Sequence, residues 1–203
     1  MAMMFWKRQA RTWHWMSGAI SLIGMLLFAV TGITLNHAAD IPASLKARTV
    51  EAVLPPDLIA QLAAEPEEGA TPELPELVRR HLESDLNVSL KNRQVEWTDI
   101  DAYIDLPRPG GDAYLTLDRE SGEAVLESTS RGAISYLNDL HKGRNTGVAW
   151  SWFLDIFAVA AIVFCLTGLW LLQMHASARR STWALVAGGL ALPVILLIVF
   201  VHA

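Results

Sequence analysis

Four histidines in this 203-residue chain stand where a long apolar run begins or ends: His14, His37, His141 and His175. His14 lies between Trp13 and Trp15 at the mouth of the first run, and His37 follows its far end. His141 precedes a second run, which His175 closes. Tryptophan and arginine suit a bilayer entrance, but an entrance has no general need for imidazole. If the two runs are antiparallel helices, His14 and His175 share one side, and His37 and His141 the other. Paired neutral imidazoles can bind a metal axially, haem iron among them, and two such ligands suit electron transfer. The alternative is an imidazole solvated at an interface, which is the commoner fate of any one histidine taken alone.

The elements that would carry these side chains follow from charge. No Asp, Glu, Lys or Arg occurs from Thr12 to Ala39 or from Ser181 onward, and only Asp155 occurs from Val148 to Ala178. Each tract exceeds the roughly 20 apolar residues that cross a bilayer. Three transmembrane helices are expected, over 13–36, 148–174 and 183–201, with 1–12 and the 175–182 link cytoplasmic. The first tract is too long for the roughly 7–15-residue apolar core of a signal peptide, so cleavage after LNHAAD is not expected. Lys7, Arg8 and Arg11 flank the first helix, and Arg179 and Arg180 flank the last link. Positive residues near short loops stay cytoplasmic, which puts residues 37–147 outside. On a helical wheel His14, Gly18, Ser21, Met25, Phe28 and Gly32 form one stripe, and Gly168 precedes His175 by two turns. Gly18 and Gly168 leave room for a flat macrocycle, or simply let two helices pack closely. Cys165, the single cysteine, reads as packing.

Between the helices, a Pro-containing connector with little periodicity runs into EPEEGATPELP. Pro72 and Pro75 then suit the start of a helix in LPELVRRHLESDL. VEWTDIDAYIDL, AYLTL and AVLES read as strands joined by PRPGGD and DRESGE, and GAISYLNDLH as a short amphipathic helix. The fold class expected is an α-helical membrane protein with a small extracytoplasmic α+β domain between helices 1 and 2. That domain is acidic, which disfavours nucleic acid and anionic lipid as partners.

AYLTLDRESGEAV resembles the PepSY pattern of strand, acidic-Gly turn and strand. HWMSGAISLIGMLLFAVTGITLNH, LHKGRNTG and FCLTGLWLL resemble PepSY-associated transmembrane proteins, with a TG pair inside each of the two apolar segments. Members of that family include bacterial inner-membrane reductases of ferric iron and ferric siderophores that bind b-type haem. The resemblance implies haem b, one or two per chain, with His14, His175, His37 and His141 as axial ligands. It implies a ferric iron or ferric-chelate substrate, met near His37, His141 and Arg144.

Several residues complete the expectation. His14 and His37 are 23 residues apart, roughly 34 Å along a helix, which is long for one electron hop. A homodimer would bring haems closer, since three helices offer few ways to enclose a porphyrin. Asp155 would pair with Arg144, cap a polar pocket or support an outer histidine, because a carboxylate at that depth needs a partner. His81 reads as a surface residue, and His202 as a spare ligand or a frayed end. No nucleotide loop, flavin fingerprint or hydrolase spacing occurs, so electrons would come from a quinol or a cytoplasmic reductase. Two other functions stay open: a non-catalytic membrane-anchored PepSY module that binds a partner, and a periplasmic metal site of His37, His141 and Asp155.

Overall fold

The computed structural model of the protein describes residues 2–62 and 73–201, so Pro72, most of the EPEEGATPELP connector and His202 lie outside the described residues. It divides into two units, residues 1–28 with 152–203 and residues 29–151, and both boundaries fall inside long helices.

The first unit draws on α1 (Ala2–Asn36), α5 (Val148–His175) and α6 (Thr182–Leu196). All three, α6 together with the turn that continues it to Val201, are long and apolar enough to cross a membrane. Helix α1 begins well before the expected start at Trp13, because residues 2–12 contain no Gly or Pro and are mostly strong helix formers. Ile20, Ile23 and Leu26, Ile156, Val159 and Ile162, and Leu185, Leu190 and Leu192 are all exposed. Large side chains kept outside in this number suit contact with hydrocarbon rather than water. The contact between α1 and α5 is built from glycines facing rings. A Cβ on Gly24 would stand 2.5 Å from the Phe157 ring, and one on Gly18 3.0 Å from Phe164. Phe157 in turn stacks on Phe28 at 5.0 Å, and Ser17 and Ser21 are buried alongside. Both serines return their hydroxyls to backbone carbonyls, Trp13 at 2.6 Å and Ser17 at 2.7 Å, so they cost little where water is excluded. Pro193 interrupts α6, and the chain widens into a π-helical turn over Leu197–Val201.

The second unit holds a five-stranded antiparallel sheet in the order β1-β5-β4-β3-β2. The strands are β1 (Lys46–Val53), β2 (Glu96–Trp97), β3 (Asp101–Asp105), β4 (Gly111–Asp118) and β5 (Glu123–Ser130). The expected meander is present, with VEWTDIDAYIDL split where the Thr98 hydroxyl turns back to Asp101. The connector after Asp40 is more structured than expected: it supplies β1, which pairs with β5, and the short helix α2 (Pro56–Leu62). Helix α3 (Glu76–Leu86) repeats Val78, Leu82 and Leu86 every fourth residue, and this stripe is buried. Together with Leu58 and Leu62 of α2 it covers the sheet face that carries Ala102, Ile104, Leu115, Leu117, Ala124 and Leu126.

Two aspartates fix the turn between β4 and β5 and the seat of the helix that follows. Between β4 and β5, Asp118 Oδ1 accepts from the Ser121 N–H at 2.7 Å, the Ser121 hydroxyl at 2.8 Å and the Glu120 N–H at 3.0 Å. These bonds hold the Asp118 carboxyl below its ordinary value of 3.8, the Ser121 backbone bond being the largest cause. Gly122 completes the turn at φ +73°, where any Cβ would also strike Ile59 at 2.6 Å. Helix α4 (Ala133–Lys142) is anchored by Asp139, which accepts from the Gly110 N–H at 2.8 Å and from Arg131 at 3.2 Å.

Candidate functional site

His14 is half-buried on α1, and its ring stacks on Phe164 of α5 with centroids 4.3 Å apart and planes 13° apart. Its Nδ1 lies 3.1 Å from the Phe164 carbonyl oxygen and 3.1 Å from the Thr167 hydroxyl. A carbonyl only accepts, so Nδ1 carries the proton and Nε2 keeps its lone pair. Thr167 is itself placed to donate to the Val163 carbonyl at 2.6 Å, which leaves its oxygen to accept from His14. Gly168 completes this seat: a Cβ there would press to 3.2 Å of His14 Cε1.

His175, at the end of α5, is exposed, and its Nδ1 donates to the Leu171 carbonyl at 2.8 Å. It therefore takes the same tautomer. His14 and His175 line one cleft of about 480 Å³ with Gly168, Leu171, Leu172 and Arg179. Gly168 thus belongs to the cleft. Gly18 does not line it: the room foreseen above His14 is filled by the Phe164 ring, because an aromatic side chain on α5 packs where Gly18 has none.

In the second unit His141 sits half-buried on α4 with Nδ1 2.6 Å from the Thr31 hydroxyl, and a Cβ on Gly32 would come 3.9 Å from its Cε1. The TG pairs within α1 and α5 therefore do the same thing. Thr167–Gly168 and Thr31–Gly32 each bring a hydroxyl to Nδ1 and an empty Cβ position to Cε1 of an imidazole from another helix. The pairs were visible as motifs, but their role was not. A threonine in an apolar helix ordinarily reads as returning its hydroxyl to its own backbone.

His37 is exposed in the turn after α1, 3.3 Å from Asp40 Oδ2. It and His141 are thus held by different elements, the turn and α4. Arg144 is exposed after α4, its N–H bonded to the Asp139 carbonyl at 2.9 Å. Asp155 is exposed on α5. Among the described residues no three or more of His, Cys, Asp and Glu gather as a metal ion would require. His81 pairs with Asp85 at 3.4 Å on α3, a surface role as expected.

The donor chemistry of the His14–His175 cleft fits a haem. A ligating imidazole characteristically donates its other ring N–H to a carbonyl, which fixes its tautomer and raises its basicity, and both histidines do so. The walls between them are glycine and leucine, the volume is in the range of roughly 300–1,000 Å³ found for small-molecule sites, and a cation stands at the rim.

Residues 5–202 match the family model described as "Putative PepSY_TM-like". No curated protein and no solved structure matches the chain.

Proposed function

The chain belongs to the PepSY_TM-like family, and from that premise we propose that it is a haem b electron-transfer protein of the bacterial inner membrane. In this reading it reduces ferric iron or a ferric siderophore at the periplasmic face, so that Fe(II) is released for uptake. The N-terminus is cytoplasmic and residues 37–147 are periplasmic, in line with the basic residues at 7, 8, 11, 179 and 180. The observation that carries the reading is the cleft lined by both His14 and His175, each with its Nδ1 committed to a carbonyl.

His14 and His175 would hold the iron of one haem, which when bound supplies a one-electron couple. The residues of the chain do the rest. Phe164 and Thr167 orient the His14 ring, Gly168 lets it approach, and Leu171 and Leu172 keep water from the wall. Arg179 offers a carboxylate-binding cation at the rim. His141, seated against Thr31, and His37 would hold a second haem, within one chain or shared in a homodimer. The electron donor is a quinol or a cytoplasmic reductase.

The test is the absorption spectrum of the purified protein, with haem measured per chain. A Soret band that sharpens and shifts on reduction, and that is lost in His14→Ala and His175→Ala, supports the reading. A colourless, folded preparation from haem-replete cells sinks it and favours a non-catalytic membrane-anchored module.

A further inference from the structure

The soluble unit carries a second, unrelated concavity. Along the helix-covered face of the sheet, side chains fall into cross-strand rows: Ala52, Ala124 and Leu117, then Val50, Leu126 and Leu115, then Arg48, Ser128 and Ala113. The first two rows are apolar, and α3 lies against the sheet with Val78 and Leu82 fully buried. The third row departs from the pattern, because strand alternation aims Arg48 to the face where Val50 and Ala52 point. Helix α3 stops beside it at Leu86, where Asn87 turns left-handed at φ 50°. The result is a hollow of about 340 Å³ floored by Leu86, Leu106 and Leu126 and rimmed by Arg48, Arg93 and Arg108.

The charge around this hollow runs against its surroundings. Residues 40–147 contain 20 Asp and Glu against 11 Lys and Arg, a net of −9. Arg79, Arg80 and Arg131 each sit on a carboxylate, and Arg119 on the Leu62 and Thr98 carbonyls. Arg48, Arg93 and Arg108 have no carboxylate partner among the described residues; Arg108 donates only to the Thr129 carbonyl at 3.2 Å. Glu83, on the neighbouring helix, is taken up by Arg79 and by the Leu90 and Lys91 N–H groups. Three guanidinium groups converging without an acid, in a unit rich in acids, are arranged for an anion from outside. A domain-wide negative charge does not predict such a patch, and here the local arrangement departs from it.

We propose that this hollow binds a small organic oxyanion, one with carboxylate or phosphate oxygens for the arginines and an apolar body for the leucine floor. Guanidinium forks pair bidentately with such oxygens. Ala113 and Ser128 contribute the space, since neither side chain fills its place in the row. The proposal stands apart from the haem reading, and none of the histidines lines the hollow. The same chemistry is offered by a free carboxylate solute and by an anionic lipid headgroup.

The test uses the full chain in nanodiscs of phosphatidylcholine and 1-naphthoate as probe, followed by calorimetry. Saturable binding is expected, at least about tenfold weaker for the neutral 1-naphthamide and about tenfold weaker again in Arg48→Gln with Arg93→Gln, because hydrogen bonds to charged groups are of that size. Ala113→Leu, which fills the hollow without touching charge, should weaken binding as well. Arg80→Gln, on the far side of α3, should leave it unchanged, and the thermal midpoint of each variant reports folding. If the double variant does not fold, the two single variants carry the measurement. Replacing a third of the lipid by phosphatidylglycerol separates the sources: competition assigns the hollow to a headgroup, and unchanged affinity assigns it to a solute. No saturable binding of naphthoate, equal binding of the amide, or full binding by folded Arg48→Gln and Arg93→Gln variants would overturn the proposal.

Discussion

Replacing Thr167 by Val keeps the shape of the side chain and deletes one of the two acceptors facing His14 Nδ1. The remaining Phe164 carbonyl preserves the tautomer, so the variant should fold and still take up haem, but hold it roughly 10–100-fold less tightly, as supporting groups of this kind do elsewhere. Haem transfer to an apo-acceptor protein reads this directly, and an unchanged dissociation rate would remove Thr167 from the site. Asp139 makes a different kind of test. It is 6% exposed and satisfies both Gly110 and Arg131, so Asp139→Ala leaves the buried Gly110 N–H without its acceptor and Arg131 with Asp112 alone. A loss of about 2–3 kcal/mol in the unfolding of the soluble unit is expected, with Asp139→Asn losing less. The histidines could be singled out from sequence because imidazole is out of place beside an apolar run. Their partners could not, since a hydroxyl at Thr167 satisfies its own helix equally well and only the packing of α1 on α5 brings His14 to it.

Strands and helices were legible to the extent that their pattern was local. Helix α3, the β3–β4–β5 meander and α4 all carry their own periodicity and turn residues, and they occur where these point. Strand β1 does not: KARTVEAV mixes three charges into a short alternation, and what makes it a strand is β5, far along the chain. The β4–β5 turn gives the element its own prediction. The folded Asp118 carboxyl lies below its ordinary 3.8, so its contribution to stability is complete above that value and is lost as pH falls through the lower folded value. The protection of the Glu120 and Ser121 amides, measured against their intrinsic exchange rates, should therefore fall on acidification. In Asp118→Asn the two amides should exchange fast at neutral pH and show no such acid step.

Across the whole molecule the outstanding expectation is direction. With Cys165 replaced by Ser, a cysteine at Lys91 should react with an impermeant maleimide added outside intact spheroplasts, and one at Arg179 only after the membrane is opened; the reverse pattern would invert the proposed electron flow. The pairing of β1 with β5 also sets a timetable. Val53 and Glu123 are partners 70 residues apart, so the sheet cannot close until that stretch has been made. At about 5–20 residues per second, β1 waits roughly 4–14 s beside a newly inserted first helix with no neighbour to pair with. An unpaired strand edge is a template for sticking to other chains, and Lys46, Arg48 and Glu51 put charge along this one during the wait. Translation speed through residues 54–122 thus becomes a variable in whether the protein reaches its fold, and pausing there lengthens the one interval in which β1 is open to the wrong partner.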